Sequence, residues 1–534
     1  METRFDVVII GSGIGGLICG NLLAREGLRV CVLEKNKQIG GALQTFSRDK
    51  VLFDSGVHYI GGRTLYQVFQ YLGIVGALGL LPMEGEAFDK ILIEGEDKAF
   101  ALAPGYERFE AQLCADFPGE EGAIRKYIAA IREVCERFPL YHLRREATGA
   151  TGERRESDAE RHGSDAERGE SDAERGRPDA DPAHCSADAF IRSLTDNPTL
   201  QAVLAGNNIL YAGQGDKTPF YVHALILNSY IEKSWKCPDG GSKISGALAK
   251  NIRALGGQVR TSAPVRRIVE ENGQITHVEL EDGSTVGGTH FVSNMHPVTT
   301  LGMTDSPLIK KAYRNRMESL ENSVSAFCVN VVLKPGSFPY ENHNYYYHRK
   351  GSLWRMTDYQ PEEWPLGYAL FMAPSLDEGA AAPHPGPFAQ SLTLMTFMKY
   401  EDVLPWKDTF NTVSAKASRG ADYDAFKKEK AARLLALAAE KFPRLPDAIQ
   451  AWYAATPLSY RDYLGTADGA IYGIVKDYTD PLKTTIAPRT KIPNLYLTGQ
   501  NLHLHGILGS AISALVTGVA ILGKDDLIEK IHHA

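Results

Sequence analysis

The sequence has no basic excess: 58 lysines and arginines stand against 65 aspartates and glutamates, a formal net charge of -7. A chain without surplus cations is poorly built to neutralise a phosphate backbone, so nucleic acid is excluded as a partner. Cysteine is sparse. The 7 residues Cys19, Cys31, Cys114, Cys135, Cys185, Cys237 and Cys328 are scattered and odd in number, and none forms a CxxC pair. That excludes a disulfide framework and argues against a zinc site. No basic segment and cleavable apolar stretch precede the first apolar run at Phe5, which together with the unpaired cysteine pattern points to the cytoplasm. Long uninterrupted apolar runs are also missing. The windows 7–23 and 506–523 are both punctuated by glycine and read as buried core, not as membrane spans.

What is present is the composition of a globular enzyme, 534 residues with 43% hydrophobic and 23% charged. That length exceeds one hydrophobic core and predicts two or more packed units sharing one interleaved chain. Residues 5–10 form a short apolar strand bounded by glycine, 14–26 a helix stopped by Gly27, and 28–34 a second apolar strand, which together make a βαβ unit. From 65 to 143 the pattern is helical, most clearly over 106–117 and 123–137. Ser-Asp-Ala-Glu-Arg then recurs from Ser157, Ser164 and Ser171. Ala159, Ala166 and Ala173 supply one weakly apolar position per heptad where a coiled coil needs two, so about 148–185 is expected to be a disordered insert without a catalytic role. A helix over 243–255 and strands over 258–261, 265–270 and 277–280 resume the α/β pattern. Strands over 327–333, 344–348, 368–373 and 391–397 and a helix over 424–442 form a candidate substrate domain. The stretch from Asn494 returns to the strand-glycine-helix pattern. The expected division is a nucleotide-binding domain built from 1–64, 236–300 and 481–534, a helical region over 65–235, and a substrate domain over 301–480.

The strongest motif is Gly11-Ser12-Gly13-Ile14-Gly15-Gly16, placed between a strand and a helix, with Glu34 ending the next strand. Gly11 permits the tight turn, Gly13 lets the backbone approach a pyrophosphate, and Gly16 allows close helix-strand packing. The helix N-terminus attracts negative charge and Glu34 accepts hydrogen bonds from a ribose. No second GxGxxG lies between a strand and a helix, and the pattern returns near the C-terminus at 494–499. There the helix-forming residues 509–514 can aim backbone donors at a second part of the same cofactor, so FAD is expected rather than a nicotinamide alone.

With this fingerprint, Gly40-Gly41, Phe53-Asp-Ser-Gly-Val-His-Tyr-Ile60, Gly240-Gly241-Ser242 and Leu495-Tyr-Leu-Thr-Gly499 resemble the phytoene desaturase and carotenoid isomerase superfamily of flavoproteins. Tyr463-Leu-Gly465, Gly469-Ala-Ile-Tyr-Gly473 and Ile492-Pro-Asn-Leu-Tyr-Leu-Thr-Gly499 resemble its retinol saturase branch. The resemblance covers nearly the whole chain outside the repeat. It implies an α/β fold in which a discontinuous, Rossmann-like FAD-binding domain of the GR2 type carries an inserted α+β substrate domain. It also implies a lipophilic polyene substrate, often drawn from a membrane, and hence peripheral membrane contact. The expected reaction is saturation of a retinoid or carotenoid-like isoprenoid, with desaturation and redox-neutral cis/trans isomerisation as alternatives. Lacking a second nucleotide motif, the protein would meet NAD(P)H transiently or draw electrons from an external carrier. An amine oxidase shares the fold, but the implied apolar substrate argues against it. A redox-inactive binding protein of the Rab-escort type is disfavoured by the intact phosphate loop.

Carried over by position, the resemblance implies that Gly11, Ser12, Gly13, Gly15, Gly16, Glu34, Lys35, Gly40 and Gly41 hold the ADP half and that Val265 presents backbone to the adenine. Gly499, Gln500, Leu508 and Gly509 would line the pyrophosphate, ribityl and flavin region. Two positions depart from the superfamily pattern: Gln500-Asn501 stands where an acidic residue commonly follows the glycine, and Ala42 where a basic residue commonly follows the paired glycines.

Saturating a C=C bond needs a hydride and a proton. The candidate proton donors are His58, His503 and His505, each with a plain alternative as a packing or loop-capping residue. No metal is expected at His503 and His505, because no carboxylate or cysteine stands nearby in sequence. Tyr345-Tyr-Tyr-His348, Trp354, Tyr359 and Trp364 could wall an apolar ligand, or could be ordinary sheet and loop packing.

Overall fold

In the strand Arg4–Ile10 (β1) every residue from Val7 onward is buried, the pattern of a strand covered on both faces. Val7 and Ile9 enter one core, and Val8 and Ile10 enter another on the opposite face, as the two-residue strand period requires. The computed structural model describes residues 4–144, 181–376, 385–414, 416–524 and 526–534. The Ser-Asp-Ala-Glu-Arg repeat therefore lies outside the described residues.

The helix Ile14–Arg25 (α1) leaves β1 and returns the chain to the strand Val30–Leu33 (β2), which pairs parallel to β1. The sheet runs in the order Gln258–Arg260, β2, β1, Thr285–Ser293, Gln274–Leu280, Val265–Glu271, and Leu495–Leu497 joins it parallel to the end of Thr285–Ser293. Three distant chain segments thus build one sheet. One face is covered by α1, Ser242–Ala254 and Gly506–Leu522, with α1 packed along both of the others. Thr285–Ser293 escapes a pattern reading because Gly287-Gly288 interrupts it. Packing explains the second glycine: a Cβ on Gly288 would lie 2.9 Å from Val8 Cγ2 on the neighbouring strand.

The second sheet has the order Ile449–Ala455, Ser325–Leu333, Pro385–Met398, Gly367–Leu376, Asn344–His348, Asp89–Ile93, Phe100–Leu102. All of its pairings are antiparallel except that of Asn344–His348 with Asp89–Ile93. Two of its strands come from the region expected to be a separate helical unit. Asp89–Ile93 and Phe100–Leu102 are too short to register beside the long helices that follow them. Those helices, Tyr106–Asp116, Glu121–Glu136 and Phe220–Glu232, bury side chains in the same core as the sheet, whereas Leu65, Val68, Phe69 and Leu72 pack in the core under the first sheet. Among the described residues, no helix is long and apolar enough to cross a membrane.

Asn494 staples the C-terminal segment to the first sheet. Its side chain accepts from the Ile275 backbone N–H at 2.8 Å and donates to the Ile275 and Thr289 carbonyls at 2.8 and 2.9 Å, while its own carbonyl accepts from Phe291 at 2.9 Å. Truncating the side chain strands buried backbone groups. Asn494→Ala should therefore lower unfolding stability by about 2–4 kcal/mol in urea titration with an unchanged m value; a loss below 0.5 kcal/mol would remove the staple from the account.

Candidate functional site

The C-terminal ends of β1 and Thr285–Ser293 open onto a cavity of about 460 Å³. The glycine loop, Glu34, Lys35, Gly40, Gly41, Val265 and Asn294 form part of its wall, and Leu210, Tyr230, Phe371 and Met395 form another part from the second unit. A crevice at the carboxyl ends of parallel strands is where α/β folds bind ligands.

Ser12 organises the loop. Its hydroxyl and backbone N–H both donate to Glu34 Oε2, at 2.5 and 3.1 Å, and the hydroxyl accepts from the Gly40 N–H at 3.1 Å. Glu34 is 5% exposed, and its other carboxylate oxygen accepts from the Asn36 N–H at 2.9 Å. A carboxylate oxygen has two lone pairs, so acceptor capacity remains for a ribose hydroxyl. Lys35 turns its ammonium to the Asp462 carbonyl at 3.2 Å, and Asn36 Nδ2 donates to the Tyr463 carbonyl at 2.9 Å. These bonds bring Tyr463, Leu464, Gly465 and Thr466 into the wall. Burial pulls the Lys35 ammonium below its ordinary value, opposed by the carboxylates of Glu34 and Asp462.

Asn294, absent from the expected set, sits at the centre of the loop. Its backbone N–H donates to the Ile10 carbonyl at 2.9 Å. A Cβ on Gly13 would lie 2.6 Å from its Nδ2, and one on Gly15 would lie 2.7 Å from its Oδ1 and 2.8 Å from Gly499 Cα. Gly499, at φ +95°, faces the same Asn294 side chain and, contrary to the expectation, does not itself line the cavity. The available signal was positional: Asn294 follows a strand parallel to β1, as Gly11 follows β1. Gly16 serves packing, because a Cβ there would run into the Gly11 carbonyl.

Val265 and Gln500 are in the cavity wall, as expected, together with Asn501. Leu508 and Gly509 are not. Both face a separate cavity of about 60 Å³, and a Cβ on Gly509 would strike the Leu504 carbonyl. The main cavity is lined instead by Gly506, Ile507 and Ser510 from the same helix, of which Gly506 and Ile507 also border the small cavity.

Only one of the three histidines reaches the main cavity. His58 lies in its wall, stacked on Phe371 with centroids 4.2 Å apart and planes within 9°. Burial and the nearby Lys236 ammonium push its pKa down to about 4, so at neutral pH it is uncharged and a poor acid. His505 borders the small cavity beside Tyr472 and is pushed down to about 3 by burial and Lys476. His503 is half-buried and lines neither cavity. Among the described residues no group of acids, histidines and cysteines could hold a metal ion. The expected aromatic wall is also displaced. Tyr345, Tyr346, Tyr347, Trp354, Tyr359 and Trp364 do not line the cavity, and Trp364 is core, its Nε1 donating to the Phe397 carbonyl at 2.8 Å. The aromatic residues lining it are Tyr59, Tyr230, Phe371, Tyr463 and Tyr472.

Residues 14–342 match the family described as flavin containing amine oxidoreductase. The chain belongs to that family. It is 27% identical to the all-trans-retinol 13,14-reductase of Danio rerio, an alignment covering 97% of this chain and 86% of the relative. It is 23% identical to the chloroplastic prolycopene isomerase of Daucus carota, over 96% of this chain and 79% of the relative. A solved putrescine oxidase shares the fold at a TM-score of 0.61 with 14% identity, covering 98% of this chain and 99% of that one.

The cofactor of this family member is FAD, and the residues present fit it. Both α1 and Gly506–Leu522 begin without a side-chain cap and without an acidic residue in the first turn, and both first turns line the cavity. Their unpaired N–H groups are anion donors with no competing acceptor. The cradle between Gly13, Gly41 and Asn294 is one that side chains would fill: a Cβ on Gly41 would meet Gly13 Cα at 3.2 Å. Glu34→Ala removes a charged acceptor worth about 1.5–3 kcal/mol and should weaken FAD binding about 10- to 100-fold by flavin-fluorescence titration of apoprotein. Unchanged affinity would show that Glu34 only braces Ser12.

Proposed function

We propose that this flavoprotein saturates a C=C bond of a lipophilic polyene of retinoid or carotenoid type. The observation that carries the reading is the chemistry of the cavity wall beyond the phosphate loop. Leu210, Tyr230, Phe371, Met395, Ile471 and Tyr472 are apolar or aromatic, and among the described residues the only acids lining the cavity are Glu34 and Glu281. Glu34 belongs to the glycine loop, and Glu281 is tied through its backbone to Pro264, next to the adenine-side Val265. An amine substrate arrives as an ammonium and needs an acceptor or a carboxylate near the reacting carbon; a polyene needs a long apolar wall. The relatives named as a retinol reductase and a prolycopene isomerase act, by their names, on polyenes, which supports the same substrate class.

In this reading Gly11, Ser12, Gly13, Gly15, Glu34, Gly40 and Gly41 hold the ADP half, Ala263 and Val265 flank the adenine, and Asn294 spaces the loop from Gly499. The first turn of Gly506–Leu522 faces the rest of the cofactor. Bound FAD supplies two-electron hydride exchange with a carbon centre. The protein excludes water through its apolar wall and places the polyene against Phe371 and Tyr472. Electrons arrive from NAD(P)H in a transient encounter or from an external carrier, and the substrate is collected by peripheral contact with a membrane, which a liposome flotation assay tests directly.

The deciding experiment is anaerobic spectroscopy of the purified holoprotein, photoreduced and then mixed with all-trans-retinol or a carotenoid. Saturation predicts reoxidation of the flavin bands with stoichiometric loss of polyene absorbance. A polyene band that shifts while the flavin stays reduced means isomerisation, and no change in either removes this substrate class.

A further inference from the structure

Saturation leaves a chemical demand that none of the expected histidines meets. The hydride goes to one carbon, and the other must receive a proton from a donor in a wall that excludes water. His58 is the only histidine of the three in that wall, and it is held neutral. Among the described residues, the cavity wall beyond the phosphate loop holds a tyrosine whose hydroxyl is bonded to a buried carboxyl. Tyr59 donates to Asp89 Oδ2 at 2.9 Å and shares a 2.8 Å hydrogen bond with the Tyr346 hydroxyl. Asp89 is 0% exposed, and its second oxygen accepts from Asn344 Nδ2 at 3.0 Å.

We propose that Tyr59 is the catalytic proton donor to the polyene and that the Asp89 carboxyl, a positioning residue behind it, recharges its oxygen through their shared hydrogen bond. This inference rests on the saturation reading. The strand pairing supports the arrangement, since Asn344 and Asp89 are register partners in one sheet while Tyr59 and Lys236 are partners in another. The relay therefore sits on rigid strands where the two units meet.

The π bond of the substrate breaks; one carbon gains a hydride whose two electrons come from reduced FAD, which is thereby oxidised. The other carbon uses the π pair to form a C–H bond with the Tyr59 proton. Tyr59 oxygen takes the Asp89 proton in the same step, leaving Asp89 as a carboxylate that regains a proton through the Tyr59 hydroxyl from water entering the cavity after product leaves. With Asp89 protonated, the carboxyl donates to Tyr59 and frees the phenolic O–H to turn to the cavity. With Asp89 ionised, Tyr59 donates to it and accepts from Tyr346, and the donor is switched off.

The electrostatics agree with this geometry. Burial pushes the Asp89 carboxyl up to about 7, against the opposing effects of the Asn344 and Tyr59 hydrogen bonds and the Lys236 ammonium. Lys236 itself, donating to the Glu341, His343 and Met372 carbonyls at 3.4, 3.3 and 3.2 Å, is pulled down to about 7 by burial. Burial and the neighbouring Asp89, Tyr346 and Tyr230 hold Tyr59 well above its ordinary value, so a free phenolate is inaccessible and its proton leaves only as another arrives. The groups facing Asp89 are thus Tyr59, Tyr230, Tyr346, Asn344 and Lys236. Because the protonated carboxyl is the competent form, the saturation rate should be flat below pH about 7 and fall tenfold per unit above it.

The test uses the holoenzyme and its Tyr59→Phe, Asp89→Asn and Asp89→Glu variants, with all-trans-retinol added to photoreduced protein, and an infrared titration of the same proteins without retinol. Tyr59→Phe removes a single oxygen and should keep flavin content and photoreduction while slowing flavin reoxidation by retinol about 100-fold. Asp89→Asn should slow it and abolish the fall above pH 7, and Asp89→Glu should restore that fall. In the infrared, the wild type should show a protonated carboxyl band that fades through pH about 7, is missing in Asp89→Asn and shifts in Tyr59→Phe. Reoxidation at the wild-type rate in Tyr59→Phe overturns the proposal, and so does the absence of the carboxyl band. If wild-type protein does not saturate retinol, the substrate reading fails and the infrared result decides alone: a band moved by Tyr59→Phe sustains the relay, and its absence ends it.

Discussion

The parallel pairing of β1 with Thr285–Ser293 is the constraint on which the cofactor side of this protein depends. Its register sets Ile10 beside Ser293, so Gly11 and Asn294 emerge together at the end of the sheet. The Asn294 N–H is then bonded to the Ile10 carbonyl, and its side chain is wedged where Gly13, Gly15 and Gly499 leave no room for a Cβ. The spacing of the phosphate loop from the C-terminal segment is therefore set by one asparagine and three glycines. A one-residue slip of the strand would turn every buried side chain of Thr285–Ser293 to the wrong face, and with it lose the cavity.

Much of the first unit was legible because its elements carry strong local patterns. β1, α1 and β2 were expected over 5–10, 14–26 and 28–34 and are found at Arg4–Ile10, Ile14–Arg25 and Val30–Leu33. Asn344–His348 was expected with those bounds, and the helices near 243–255 and 424–442 appear as Ser242–Ala254 and Ala421–Lys441. Thr285–Ser293 was lost because glycine means a turn in local pattern but means close strand approach at Gly288. Asp89–Ile93 was lost because a five-residue strand with a buried aspartate at its start reads as surface. Its pairing with Asn344–His348 is long-range, and no window of sequence contains both.

The candidate site divides along the same line. Loop glycines and Glu34 are identified by spacing along the chain, because a βαβ phosphate loop is a local object. Leu508 and Gly509 fall a step away from the cavity because the helix phase, not the motif, decides which side chains face it. His58, His503 and His505 were attractive for their side-chain chemistry, but proton donation depends on charge state, and charge state depends on burial that only the fold reveals. Tyr59 and Asp89 were passed over for the converse reason. A tyrosine and an aspartate 30 residues apart carry no motif, and the hydrogen bond that joins them is visible only when two sheets meet.

The position of Asp89 also bears on how an amine oxidase fold could accommodate a hydrocarbon. A buried carboxyl is costly to desolvate, and Asp89 is held in place by the hydrogen bonds it accepts from Tyr59 and Asn344. Here the acid is withdrawn behind Tyr59, out of the cavity lining, so the wall presents a phenol rather than a charge to whatever lies against Phe371. A carboxylate in the wall would attract a cation and repel a polyene. The same acid one hydrogen bond further back leaves the surface compatible with an apolar ligand and keeps a titratable proton within reach of it. Isomerisation needs no net proton and gains nothing from that arrangement, whereas saturation consumes one proton at every turnover.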